Sequence, residues 1–119
     1  MRLLWLLAAL LFSAALCALQ WWAVTDFLYW RYEWFDILMH YLGGIAIAAF
    51  VIALLVRRRM NSFVAALVVL YVGWEVFEYV FGIQREANYA LDTVIDLVMD
   101  SIGSLTAYGI ARISIWRSA

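Results

Sequence analysis

The sequence has no proline, no lysine and one cysteine. Without proline, no helix interior loses an N–H to a pyrrolidine ring, so long uninterrupted helices are permitted throughout. A single cysteine, Cys17, excludes an intrachain disulfide and leaves the redox compartment open. Charge is scarce as well: 14% of residues are charged and the formal net charge is −1, so no strong electrostatic partner is implied. Every basic side chain is an arginine, and the only basic run is Arg57-Arg58-Arg59. That run is too short for a nucleic-acid surface and suits a membrane flank. Linker-like, low-complexity and repeated segments are also missing, so residues 1–119 are expected to form one integral-membrane domain.

What the chain does have is apolar surface. It is 69% hydrophobic and 18% aromatic, well beyond the roughly one-half apolar content of soluble domains. Four runs, at about residues 3–24, 36–56, 63–81 and 91–113, are long enough to cross a bilayer as helices. The first ends in Gln20, Trp21 and Trp22, residues suited to an interface. A signal peptide is its rival reading, with Arg2 ahead of the run and Ala15-Leu16-Cys17 as a passable cleavage site; retention as a helix is the expectation. Residues 25–35 mix aromatics with charge and predict an interfacial loop or short amphipathic helix. Met60-Asn61-Ser62 is expected to be a turn, and residues 82–90 a polar loop.

The expected fold is therefore an all-α membrane protein with four transmembrane helices and an interfacial aromatic segment between the first two. Four spans place Arg2, Arg57, Arg58, Arg59, Arg112 and Arg117 on one side and only Arg31 and Arg85 on the other. The positive-inside rule then predicts both termini in the cytoplasm of a bacterial inner membrane.

Against this apolar background, ionisable groups stand out. Asp36 and His40 lie in the second span, Glu75 and Glu78 in the third, and Asp92, Asp96 and Asp100 in the fourth. A charged group at the centre of a span costs ~2.5–3.5 kcal/mol on insertion scales, so each calls for a partner or a role. Asp36/His40 are spaced i,i+4 and Glu75/Glu78 i,i+3, while the three aspartates form an i,i+4 ladder, so each set shares one helix face. Counting ~1.5 Å of rise per residue from the outer surface puts His40 and Glu78 ~6 Å down, Asp96 ~7 Å, Glu75 ~10 Å and Asp100 ~13 Å. Three helices of alternating direction thus bring their acids to the outer half of the membrane. Gly43, Gly44 and the stripe Gly103, Ala107, Ala111 predict close helix packing beside them.

Three uses of the cluster are open. His40, Glu75, Glu78, Asp96 and Asp100 suit a divalent metal ion such as Mg, Mn, Fe or Zn, with Asp36, Asp92 and Arg85 at the rim or orienting ligands. The Glu plus Glu-x-x-His pattern of di-iron bundles is not matched, because the histidine sits on another helix. Ser101 and Ser104 flank the ladder but read as packing hydroxyls rather than nucleophiles. The second use is a proton or cation relay; the acids occupy only the outer half, so a through-route needs a partner or an oligomer. The third is structural, with protonated carboxyls hydrogen-bonding to hold helices together.

Three blocks carry a family resemblance. Asp36-Ile-Leu-Met-His40 followed by Gly43-Gly44, Trp74-Glu75-Val-Phe-Glu78, and Asp92-Thr93-Val-Ile-Asp96 running to Asp100 and Gly103 resemble VanZ-like membrane proteins and, more closely, small bacterial inner-membrane proteins of the YjdF type. Asp100 stands where the VanZ-like pattern usually has Asn, and Arg85 where it often has Arg. The resemblance implies a four- or five-helix membrane protein working near envelope lipids, with Arg85 able to fork onto a lipid phosphate. No reaction is implied by it. The bilayer and a lipid-linked phosphate are the expected partners.

Overall fold

The computed structural model describes residues 2–55, 59–82 and 88–117. Arg57, Arg58 and Arg85, part of the sidedness and rim expectations, lie outside the described residues. Five helices follow in order: α1 (Arg2–Thr25), α2 (Leu28–Arg31), α3 (Phe35–Leu54), α4 (Met60–Val80) and α5 (Tyr89–Ile113). All but α2 are long and apolar enough to span a membrane. The exposed surface agrees: Leu11, Val69 and Leu105 are 72%, 70% and 66% exposed on three different helices. A skin of large apolar side chains on this scale belongs against lipid. This is an all-helical membrane protein.

With no proline available, other devices end the helices. Asp26 follows α1, and Phe27 adopts the left-handed backbone region at φ 57° to reverse the chain into the single turn of α2. Gly82, at φ 67°, closes α4 in the position where a left-handed residue satisfies terminal carbonyls, its N–H donating to Tyr79 O at 3.3 Å. Asn88 caps α5, its side-chain oxygen accepting from the Leu91 N–H at 3.2 Å. Residues 60–62 correct one expectation. They form the first turn of α4 rather than a connecting turn, with Phe63 N–H already bonded to Arg59 O at 2.9 Å. Asn and Ser are weak helix breakers, and here the helix simply begins a turn early.

α3 is the hub. It touches each of the other helices and packs most extensively on α5. The pairing is backbone to backbone. A Cβ at Gly44 would overlap the carbonyl of Asp100, and one at Gly103 would lie 2.9 Å from Ile45 N and overlap Tyr41 O. Ala48, Ala107 and Ala111, buried in one cluster, continue the close contact. In lipid, where no hydrophobic force draws helices together, such small-residue faces supply dispersion contact and proximity.

α1 is held differently. It buries only Ala9 and Ala23, so polar clamps fix it to α3. Arg2 donates from Nε to Ala53 O at 2.7 Å and from Nη2 to Leu54 O at 3.1 Å, covering carbonyls at the C-terminus of α3. Trp5 Nε1 donates to Ala49 O at 2.8 Å. At the same end of the bundle, Phe63, Tyr108 and Trp116 pack ring against ring, with Phe63 and Trp116 edge to face at 5.7 Å.

The glycine contact gives a direct test. Gly103→Ala cannot be accommodated by a rotamer change, because the obstacle is the α3 backbone. The substitution is expected to cost about 1–3 kcal/mol or more, read as a lowered unfolding midpoint in detergent. Gly109→Ala, where an added Cβ meets nothing, should leave the midpoint unchanged or raised.

Candidate metal centre

The close approach of α3 and α5 brings His40 against the aspartate ladder. Nδ1 of His40 lies 3.1 Å from Asp100 Oδ1, and Nε2 lies 3.4 Å from Asp96 Oδ1 and 3.7 Å from Asp36 Oδ1. His40 is the basic partner in all three pairs. Asp100 is aligned to accept from Nδ1–H, which places Nε2 between Asp36 and Asp96. α4 adds Glu75 and Glu78 from the other side.

The sequence-predicted ligands do not form one shell. Among the described residues they form three overlapping triads, each with potential ligand atoms within 4.8 Å of one another: Asp36–His40–Asp96, His40–Glu75–Asp100 and Glu75–Glu78–Asp96. His40, Glu75 and Asp96 each belong to two triads. Asp36, expected at the rim, stands inside the cluster instead, because α3 starts at Phe35 and its first turn already faces α5. Asp92 lies outside the triads, one turn above Asp96. Arg85 is outside the described residues.

Burial separates the acids further. Glu75, Asp96 and Asp100 are buried at 5%, 2% and 5% exposure. Both carboxyl oxygens of Glu75 are buried without a well-formed hydrogen bond, and Oδ1 of Asp96 has only the His40 Nε2 ion pair at 3.4 Å. Ionised carboxylates in this condition cost several kcal/mol each unless a cation, a proton or water compensates them. By contrast, Asp36, His40, Glu78 and Asp100 line a cavity of about 450 Å³ that also touches α1, α2 and α4. The cluster thus has a buried back, Glu75 and Asp96, and a front that faces the cavity.

A layer of hydroxyl groups underlies the acids, and sequence reasoning did not find it. Tyr71 OH lies within hydrogen-bond reach of Ser104 Oγ and of Gly44 O (3.2 Å), and Ser104 Oγ of Asp100 O (2.9 Å), so the two hydroxyl protons are shared among three contacts. Tyr89 OH donates to Glu75 O at 3.1 Å, and Tyr41 OH meets Thr106 Oγ1 at 3.0 Å. Tyr71 sits one helical turn before Glu75, so the i,i+4 spacing was the available signal. Neither serine acts on its own: Ser104 is tied to Asp100 and Tyr71, and Ser101 Oγ donates to Leu97 O at 2.7 Å. Tyr71→Phe removes the bridge between α3, α4 and α5 with little change of shape. It should lower stability by about 0.6–1 kcal/mol, measured as an unfolding midpoint in detergent.

No curated protein and no solved structure matches the chain. A family match extends over residues 2–117 and so includes every helix and every acid described above. The chain belongs to the membrane-protein family described as Predicted membrane protein (DUF2238).

Proposed function

We propose that this protein binds a divalent metal ion at the Asp36–His40–Glu75–Glu78–Asp96–Asp100 cluster and acts there on a lipid-linked phosphate of the bacterial envelope. The supporting observation is the pair of buried Glu75 carboxyl oxygens without a well-formed hydrogen bond, on a residue within ligand-forming distance of His40, Glu78, Asp96 and Asp100. Hard oxygen donors with one imidazole suit Mg, Mn, Fe or Zn. Asp100 at Nδ1 would fix the ring so that Nε2 presents its lone pair between Asp36 and Asp96, the carboxylate–histidine–metal arrangement. That assigns Asp100 to orienting the ligand and Asp36 to ligation. It also gives the carboxylate a use where VanZ-like proteins usually carry Asn, since a charged acceptor holds Nδ1–H more strongly than an amide. When bound, such an ion would polarise a phosphoryl oxygen and activate a water.

The sided reading belongs to the same proposal. Arginines at residues 2, 57–59, 112 and 117 support an orientation with both termini in the cytoplasm of an inner membrane and the acids toward the outer face. The resemblance of residues 36–103 to VanZ-like and YjdF-type proteins supports an envelope role.

A second reading has its own observation. His40 faces a carboxylate from both ring nitrogens, the geometry of a proton relay in a non-enzymatic or transporter-like membrane subunit.

Elemental analysis of protein purified without chelator separates the two. The metal reading expects near-stoichiometric divalent metal in wild type, an at least tenfold lower content in Glu75→Gln and Asp96→Asn, and an unchanged content in Asp26→Asn, whose carboxylate accepts from Trp22 Nε1 away from the cluster. Wild type free of metal, together with proton flux in liposomes that disappears in Asp100→Asn, would replace it with the relay.

A further inference from the structure

The acids are not sealed inside the bundle. The cavity that reaches them is bounded by Leu16 and Cys17 on α1, by Met39 and Ile47 on α3, and by Trp74 on α4. α1 and α4 make no close backbone approach to each other among the described residues, since each packs on α3 instead. The space between them is therefore a cleft with α3 as its floor, and its wall residues Cys17 and Trp74 are exposed on the side a bilayer would cover. One end is capped where Tyr29 OH donates to Gln20 Oε1, joining α2 to α1. The volume, about 450 Å³, lies within the ~300–1,000 Å³ typical of small-ligand sites.

Its lining is polarised. Asp36, His40, Glu78 and Asp100 contribute polar atoms, and the remaining wall is largely aliphatic and aromatic. Glu75 and Asp96 do not line it; they close the cluster from behind. A cation held by these residues would thus be saturated by protein oxygens on its buried side and open toward the cleft. A ligand for that open side needs an oxygen donor, and an oxyanion fits there once protons or a second cation offset the remaining carboxylates; to lie along the cleft it must carry a hydrocarbon chain.

We propose that the α1–α4 cleft is a lateral entry site for a single-chain amphiphile with a phosphate head. The chain would run along Leu16, Met39, Ile47 and Trp74, and the phosphate would meet the ion at Asp36, His40 and Glu78. This rests on the metal reading and adds to it the substrate's shape and its route: from the bilayer, sideways, head toward the acids. Cys17 is a wall residue here, with no reactive role.

The test uses the full chain in phosphatidylcholine nanodiscs, with radiolabelled dodecyl phosphate as probe and metal content measured on the same samples. Metal-loaded wild type should retain about one dodecyl phosphate per chain above empty discs, and EDTA should reduce that at least tenfold. Inorganic phosphate at equal concentration should not compete. Cys17→Trp and Leu16→Trp, which fill the cleft from α1 without touching an acid, should keep their metal and lose at least tenfold in dodecyl phosphate binding. Metal-loaded protein that binds no dodecyl phosphate, that releases it equally to inorganic phosphate, or that binds it undiminished in both tryptophan variants overturns the cleft proposal and leaves the metal reading standing. Metal-free wild type overturns both. Dodecyltrimethylammonium binding to metal-free protein in place of dodecyl phosphate would show that the acids meet a cationic head directly, and would also overturn it.

Discussion

The contact between the α3 and α5 backbones is what the rest of the structure depends on. Gly44 lies against the carbonyl of Asp100, and Gly103 lies against Tyr41 and Ile45, so the two glycines answer each other across the interface. Each sits within one turn of a residue of the cluster: Gly44 one turn past His40, Gly103 just past Asp100. Any separation of the backbones would lengthen the His40–Asp96 and His40–Asp100 distances together, because both pairs cross the same interface. Packing and site geometry are therefore one constraint. The hydroxyl layer of Tyr71 and Ser104 then ties α4 to that pair through Gly44 O and Asp100 O.

Much of this was legible in the sequence, and the reason is the membrane. Lipid forces every backbone polar group into helices, so four long apolar runs predict four long helices with few alternatives. Glycine and alanine spacing at 103, 107 and 111 likewise marked a close face, which α5 turns toward α3. Acid spacing on each helix predicted shared faces, and the triads gather acids from three helices.

What escaped the sequence was lateral, not vertical. Rise per residue fixes depth along a helix, but nothing in one chain fixes how helices rotate and order themselves around a hub. Depth put Asp36 at the rim although its i,i+4 spacing already set it on the His40 face; what one chain did not show is that α5 brings Asp96 to the same histidine. Tyr71 and Tyr89 were missed for a related reason. Tyr71 lies in the middle of α4 and Tyr89 at the start of α5, and only the packing of α4 against α3 and α5 shows that these hydroxyls serve Gly44, Ser104 and Glu75. The start of α4 was a smaller error of the same kind: a polar tripeptide signals a turn only when no capping contact extends the helix through it.

Magnitudes also decide which acids matter. The ladder suggests repulsion between Asp92, Asp96 and Asp100, but like charges at i,i+4 cost only ~0.2–0.5 kcal/mol per pair. Withdrawing a carboxylate from water costs several kcal/mol, so burial, and not the ladder, sets the demand for compensation. That demand is concentrated on Glu75, whose oxygens are buried without a well-formed hydrogen bond, and on Asp96, buried with His40 as its ionic partner, more than on Asp92, which is only partly buried and outside the triads. The charge count points the same way. Five carboxyl groups share the triads with one imidazole, so a fully ionised cluster with the neutral imidazole that ligation requires would carry five negative charges. One divalent cation would leave three, and protons or a second cation would have to cover the rest. His40, Glu75 and Asp96 each belong to two of the three triads, so a charge held in one triad is felt directly in the others.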